Sequence, residues 1–395
     1  MGSFFFITVI TLFAAAVFTQ QGFVFTLLYL LVSVYVINMT WARNLVRTVT
    51  FERTFTDRVF QDETVRVQLS VHNGSWLPLV WGRVHEAMPS GVSLRLFQQV
   101  ISLAPRQKTE LTYELVALKR GIYALGPLKM VTGDLMGFSP ELTASLSSSD
   151  LIVYPRVVQL GELNLPSHSP LGTKKYRQPV FEDPSRPIGK REYQPGDSIR
   201  RLDWKASASS GKLQVRLFEP SIALEAGIFL DLNQDSYDAK RYFDAGELAI
   251  SAAASLANWL VEQRQSVGLF SNGVDPYVKT GLAQPLPPRK GRAQLMRILE
   301  NLARVQMTHA SPMVPLLNQQ RVNLAWGSTM ILVSGGVEEK MFNALLQARR
   351  SGLDIVIVLC GSVPDLIGIQ AKAKLLHIRC YHLLYGLDLK QWGTA

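Results

Sequence analysis

The sequence predicts a multidomain protein of mixed all-β and α/β class. Its order is a transmembrane helical hairpin over residues 1–42, a β-sandwich-like domain over 43–160, a connector with a basic and aromatic segment over 161–222, and a doubly wound α/β domain over 223–395. Three observations lead there. No Asp, Glu, Lys or Arg precedes Arg43, the stretch TVRVQLSV alternates apolar and polar residues, and from about residue 223 continuous apolar runs alternate with amphipathic ones. The 395 residues suffice for two or three folding units at about 150 residues each.

The uncharged start holds two apolar blocks, FFFITVITLFAAAVF and FVFTLLYLLVSVYVI, parted by Gln20, Gln21 and Gly22. One straight helix through both would be roughly 55 Å long, against a hydrocarbon core of about 30 Å. Two short spans joined by a tight turn satisfy that length. A cleaved signal peptide fits less well, because no basic n-region is present and a second apolar block follows at once. Phe6 stands where a myristoylation start needs Ser or Thr. Arg43, Arg47, Arg53 and Arg58 follow the second block, so the positive-inside rule places the rest of the chain in the cytosol. The 41 basic and 31 acidic residues give a net charge of +10, which suits a protein at an anionic leaflet as well as a nucleic-acid binder. Cys360 and Cys380 lack CxxC spacing and any disulfide framework, as expected of two packed thiols in a reducing compartment.

In TVRVQLSV, Val65, Val67, Leu69 and Val71 share one face of a strand, and KTELTYELVAL and GIYALGPLKMV follow after turn signals. Asn73-Gly74 marks a turn, and Pro78, Pro89, Pro105 and Pro127 interrupt any long helical pattern. Residues 161–190 hold five prolines and predict an extended connector. Beyond it, AGIFLDL, SVGLFSNG, TMILVSGG and DIVIVLCG predict buried strands. Between them RYFDAGELAISAAASLANWLVEQR, RAQLMRILENLARV and EEKMFNALLQARRSG predict helices. That alternation means a parallel sheet covered on both faces, with ligands gathering at the carboxyl ends of the strands.

Several chemistries lack their motifs. Gly189-Lys190 has Pro184 and Arg191 where a P-loop needs Gly and Ser or Thr; the six histidines form no HExxH, and no G-x-S-x-G is present. Asp231, Asn233 and Asp235 offer three side-chain oxygens at alternating positions just past the first α/β strand. Ser236 and Tyr242 replace the Gly and Glu that would complete an EF-hand loop. Two readings stay open: a partial Mg²⁺ site with a vacancy for an outside ligand, or a turn that caps the following helix. Residues 186–205 carry six basic side chains against three acidic ones, with Tyr193 and Trp204 interleaved. A phosphate or nucleic-acid contact is one reading. The other is an internal ion-pair network in which Asp197 and Asp203 hold guanidinium groups and knit domains together, and the acidic residues favour it.

Arg191-Glu192-Tyr193, Pro195-Gly196-Asp197, Arg200-Arg201, Asp203-Trp204-Lys205-Ala206-Ser207 and the following run from Gly211 to Arg216 resemble the bacterial proteins of the domain of unknown function 58, which often accompany MoxR-type AAA+ ATPases. NGSWLPLVWGRVHEAMP, RGIYALGPLKM and VYPRV are similar to the same family upstream. The resemblance implies a C-terminal von Willebrand factor A-like domain. Its metal-ion-dependent adhesion site would use D-x-S-x-S on a first loop, Thr on a second and Asp on a third. Here Asp231 matches, Asn233 and Asp235 replace both serines, Lys290, Gly291, Arg292 and Ala293 offer no hydroxyl on the expected second loop, and Ser334-Gly335-Gly336 offers no carboxylate on the third. With two loops stripped, Mg²⁺ affinity is expected to fall steeply, and no cofactor is assigned.

The expected protein is therefore non-enzymatic: a multi-pass protein of the bacterial inner membrane whose main domains face the cytoplasm. It would bind other proteins beside the lipid bilayer, the resemblance implying a MoxR-type AAA+ partner in assembly or maturation of complexes. The rival readings are a phosphate or nucleic-acid module built on Arg191, Arg200, Arg201, Lys205 and Trp204, and an extracytoplasmic adhesin. Nucleic acid is disfavoured by the acidic residues among those cations.

Overall fold

The computed structural model describes residues 2–92, 97–133, 141–161, 182–194, 197, 202–220, 225–279, 281–309 and 311–392. The chain divides into two compact units, Met1–Arg156 and Val157–Ala395.

The first unit opens with α1 (Gly2–Thr19) and α2 (Gly22–Thr48). Gln20, in the left-handed region at φ 51°, reverses the chain between them. The helices run antiparallel, so that Phe5 stacks on Tyr35 with ring centroids 4.5 Å apart. Ala16 and Leu28 are buried, whereas Phe13, Phe18, Phe23, Tyr29, Leu30 and Ile37 are exposed. Such an apolar exterior is stable only under lipid or another protein. By length and composition α2 can cross a membrane, while the apolar stretch Phe5–Thr19 of α1 is shorter.

The helix does not stop where its charge begins. It continues to Thr48, past the expected boundary at 42, because its last turns are amphipathic: Ala42 and Leu45 are buried while Arg43, Asn44 and Arg47 face water. Leu45 and Val49 enter the same apolar layer as Leu69, Val71, Val84 and Met130. The Trp41 Nε1–H donates to the Pro78 carbonyl at 3.2 Å.

Among the described residues ten strands follow: β1 (Val49–Thr54), β2 (Arg58–Phe60), β3 (Thr64–Asn73), β4 (Leu79–Glu86), β5 (Phe97–Leu103), β6 (Lys108–Val116), β7 (Gly121–Leu125), β8 (Leu128–Thr132), β9 (Leu142–Leu146) and β10 (Ser149–Tyr154). They form sheets of order β1-β3-β6, β2-β10-β7 and β5-β4-β8-β9. On β3 the inward residues are those of the alternation, Val65, Val67, Leu69 and Val71. A polar cluster sits in this interior. Arg53 of β1 pairs with Glu86 of β4, both side chains essentially inaccessible, and the Tyr113 hydroxyl of β6 donates to the same carboxylate. Arg53 also donates to the Ser147 carbonyl at 2.8 Å and to Ser149 Oγ at 2.9 Å, so one guanidinium ties the sheets together. Burial, followed by the Glu86 contact, pushes the Tyr113 phenol well above its usual range.

The second unit begins with a two-stranded ribbon, β11 (Glu182–Glu192) against β12 (Gln214–Pro220), with α3 (Trp204–Ser210) between them. This corrects the connector expected over 161–190: from Glu182 onward the backbone is paired. The prolines are tolerated because the register slips between Asp183 and Pro187 and again between Pro187 and Gly189, which is where a chain lacking N–H donors can sit. Residues 162–181 lie outside the described residues.

The remaining strands are β13 (Glu225–Leu230), β14 (Ser266–Ser271), β15 (Leu286–Arg289), β16 (Thr329–Ser334), β17 (Asp354–Cys360) and β18 (Arg379–Leu383). They form one sheet of order β15-β14-β13-β16-β17-β18, parallel except for the edge strand β15. Helices α6 (Met313–Gln320), α7 (Glu339–Arg350) and α8 (Leu366–Leu375) cover one face, packing on Phe229, Phe270, Leu332 and Ile357. Helix α4 (Tyr242–Glu262) crosses β13, β14, β16 and β17, and α5 (Arg292–Arg304) packs beside it. Buried Ala249, Ala252, Ala253 and Ala257 let α4 approach the sheet closely. From β13 the chain steps to β14 on one side and later to β16 on the other, so the topological switch point lies between β13 and β16.

Breaking one side of the Arg53–Glu86 pair strands a charge in the interior. Glu86→Gln or Arg53→Met is expected to cost about 3–5 kcal/mol in chemical denaturation, and the double change Arg53→Met with Glu86→Leu is expected to restore much of that loss.

Candidate functional site

Asp231 follows β13 at the switch point and is completely buried. Its Oδ1 accepts the Asn233 backbone N–H at 3.1 Å and the Asn272 side-chain amide at 2.8 Å; its Oδ2 accepts the Ser334 hydroxyl at 2.9 Å. Asn272 follows β14 and Ser334 ends β16, so one carboxylate clasps the carboxyl ends of three adjacent strands. Asn272 extends the clasp. Its Oδ1 accepts the Leu232 N–H at 2.7 Å, and its amide also donates to the Ser311 carbonyl at 2.7 Å. The Asp231 carbonyl accepts the Tyr237 hydroxyl, whose pKa stands well above the ordinary phenol value through burial and then through the Asp231 charge. Gly335 makes room for that ring, since a Cβ there would lie 2.3 Å from Tyr237 Cδ1.

Of the other two oxygen donors of the first loop, Asp235 turns away from Asp231. Asp235 is 67% exposed and faces His309 Nδ1 at 3.3 Å. Asn233 is half-buried and bridges by backbone to Thr308, where Gln234 N–H donates to the Thr308 carbonyl at 2.9 Å and Thr308 N–H to the Leu232 carbonyl at 3.0 Å. The second loop expected at 290–293 is at the wrong edge. Arg289 of the antiparallel β15 pairs with Val267 near the amino end of β14, which puts the following turn at the opposite end of the sheet from Asp231. The loop that does reach the residues around Asp231 is the one after α5, where Thr308 bonds to Leu232 and Gln234 and the Ser311 carbonyl to Asn272. Sequence reasoning missed it because LPPR, with two prolines, gives no strand signal, yet an antiparallel edge strand accommodates proline.

A hard cation needs carboxylate lone pairs aimed at it, and the chain's own N–H and O–H groups occupy three of the roughly four acceptor positions of Asp231; two residues on, the Asn233 Oδ1 is buried without a hydrogen-bond partner. Asp235, the second carboxylate, turns to the surface. Among the described residues no cluster of three His, Cys, Asp or Glu side chains is placed to hold a metal. Of the two thiols, Cys360 is buried and lifted far above its ordinary pKa by burial, and burial raises Cys380 to about 11.

The ribbon gathers the second group of candidate residues. Arg191 grips Asp197 with two parallel bonds of 2.7 and 2.6 Å, and Asp197 also accepts the Gln194 N–H at 2.9 Å. Asp203 caps α3 by accepting the Ala206 N–H at 3.1 Å, and pairs with Lys190 at 3.0 Å and Arg216 at 3.4 Å. The Ser207 hydroxyl donates to the Asp203 carbonyl and accepts the Gln214 N–H, both at 2.8 Å, stitching α3 to β12. The Tyr193 N–H donates to the Leu213 carbonyl at 2.9 Å. The partners named here come from within the ribbon. Trp204, 66% exposed, and Lys205 remain on the outer side of α3. Gly196, Arg200 and Arg201 lie outside the described residues.

Residues 189–359, from the ribbon through β17, match the family model described as "Protein of unknown function DUF58". These residues, under half of the chain, are similar to that family. The chain is similar to the uncharacterized protein YeaD of Bacillus subtilis (strain 168), 26% identical over 277 residues, a span covering 67% of this chain and 65% of that protein. The DUF58 region thus contains both candidate clusters. Among solved structures, the CARDB domain of a Pyrococcus furiosus protein matches 27% of this chain and 91% of its own at 19% identity and a TM-score of 0.20. A Listeria innocua β-glucosidase matches 27% of this chain and 16% of its own at 11% identity and a TM-score of 0.18. Likenesses that slight bear on neither fold nor activity.

Two outcomes follow from the geometry. The cap and then the lysine hold the Asp203 carboxyl at about 2, below its ordinary 3.8, so its contribution to ribbon stability is complete above the ordinary value and is lost as pH falls through about 2. Asp203→Asn keeps the cap and should flatten that acid dependence, read from hydrogen exchange at the Ala206 amide. Asp231→Ala, which takes one acceptor from each of Asn272, Ser334 and the Asn233 N–H, should cost about 3 kcal/mol or more, while millimolar Mg²⁺ leaves the melting temperature of the unsubstituted chain unchanged.

Proposed function

We propose that this chain is a membrane-anchored, non-catalytic protein-interaction scaffold whose two units face the bacterial cytoplasm. We further propose that its second unit is a von Willebrand factor A-like domain with a degenerate adhesion site. The observation that carries the reading is the Asp231 clasp. At the sheet edge where α/β folds place their chemistry, the buried carboxylate is taken up in joining β13, β14 and β16. Such an edge offers a partner a fixed surface and no reactive group. The sheet order, with Asp231 after the first parallel strand, supports the von Willebrand-like assignment. For the anchor, α2 supplies a span and Arg43 and Arg47 an exposed basic flank, which favours the cytoplasmic side.

In this reading the outer face of α3, with Trp204 and Lys205, and the switch-point edge are the surfaces open to partners, and a MoxR-type AAA+ ATPase is the partner the family resemblance suggests. Pull-down of the full chain from membrane extract, with and without nucleotide, is expected to recover such an ATPase. Its absence in both conditions overturns the partnership. A reporter fused after Ala395 is expected to report the cytoplasm, and a periplasmic signal would favour the adhesin instead.

A further inference from the structure

The junction between α2 and the first unit fixes how deep that unit sits, granted the membrane reading above. Residues 22–37 precede the first α2 residue lodged against the strands and give about 24 Å of helix. A hydrocarbon core of about 30 Å needs roughly 20 residues, so its boundary falls near Trp41, inside the stretch already packed on the sheet. Tilt pushes the boundary further along the helix, never back. Asn38 and Trp41 line a small crevice with Pro78, Val80, Thr132 and Gly133, which places Val80 level with the edge of the hydrocarbon.

The loop before β4 continues from there. The Gly74 N–H donates to the Thr48 carbonyl and the Pro78 carbonyl accepts from Trp41, so residues 74–78 run back along the outer turns of α2. Trp76 lies between those two anchor points, within the few ångströms that headgroups occupy beyond the core. It is 71% exposed and Val80 is 49% exposed, a poor arrangement in water and a good one at an interface, where tryptophan is enriched. Cations complete the rim. Arg43 and Arg47 are exposed on the same turns of α2, and exposed Arg106 is held to the loop by its N–H bond to the Ser75 carbonyl.

We propose that the first unit is seated in the bilayer interface, with Val80 at the margin of the acyl chains, Trp76 among the headgroups, and Arg43, Arg47 and Arg106 facing lipid phosphates. The occupant of this surface is lipid. The proposal turns the span from a tether into part of a seat that also includes the 74–80 segment.

The test uses the full chain in nanodiscs of phosphatidylcholine with phosphatidylglycerol. An environment-sensitive fluorophore is attached through Trp76→Cys, Val80→Cys or Leu118→Cys, with the unsubstituted chain as labelling background. Leu118 lies beyond β6, whose Val116 pairs with Thr64, and Thr64 is about 30 Å along β3 from the membrane-proximal Asn73. Nitroxide lipids labelled near the headgroup are expected to quench the probes at 76 and 80 several-fold more than the probe at 118. Equal quenching at all three overturns the seat while leaving the anchor intact. A chain that washes free of lipid at high salt overturns the anchor reading itself.

Discussion

A carboxylate moved out of water must be answered by donors, and in the second unit Asp231 is answered by three, one from its own turn and two from strand ends far away in sequence. That requirement shapes the edge around it. Asn272 must face Asp231 with its amide and Leu232 with its oxygen, Ser334 must end β16, and Gly335 must lack a side chain so that Tyr237 can cover the cluster. The same groups that could have opened a site toward solvent thus close it. The rim of this region consequently exposes Asp235 and His309 side by side to solvent.

The first unit meets the same electrostatic demand at another place. Arg53, Glu86 and Tyr113 form a polar island between apolar layers, and the ordering it imposes has a different character from apolar contact. Apolar layers tolerate sliding, whereas a guanidinium shared among Glu86, Ser147 and Ser149 admits one register for the strands that carry them. Arg53 is therefore spent inside the fold and does not contribute to the basic flank of α2 at the surface.

Much of the architecture was legible because it rests on local periodicity. The alternation of Val65, Val67, Leu69 and Val71 marks the inward face of β3, and the unbroken apolar runs mark β13, β14, β16 and β17 as strands buried on both faces. The ribbon escaped because its prolines sit at register slips, which carry no periodic signature. The candidate site was legible in part. The D-x-N-x-D spacing locates an oxygen-rich turn, but spacing along one loop says nothing about where each side chain points. That is decided by Asn272, Thr308 and Ser334, residues 40 to about 100 positions away whose arrival depends on the sheet order. In the ribbon, by contrast, Arg191 and Asp197 are near neighbours, and their pairing could be anticipated from charge and geometry alone.

The way α2 ends has a mechanical consequence. The helix passes from its exposed apolar stretch into the sheet with no break before Val49, and Leu45, Val49 and the Trp41–Pro78 bond clamp its final turns. It therefore acts as a stiff lever. A reorientation of about 20°, the scale on which spans adjust to bilayer thickness, swings the far end of β3, some 30 Å away, by about 10 Å. A bilayer that thins or thickens would thus be felt at the distal loops of the first unit as a displacement large enough to make or break a contact.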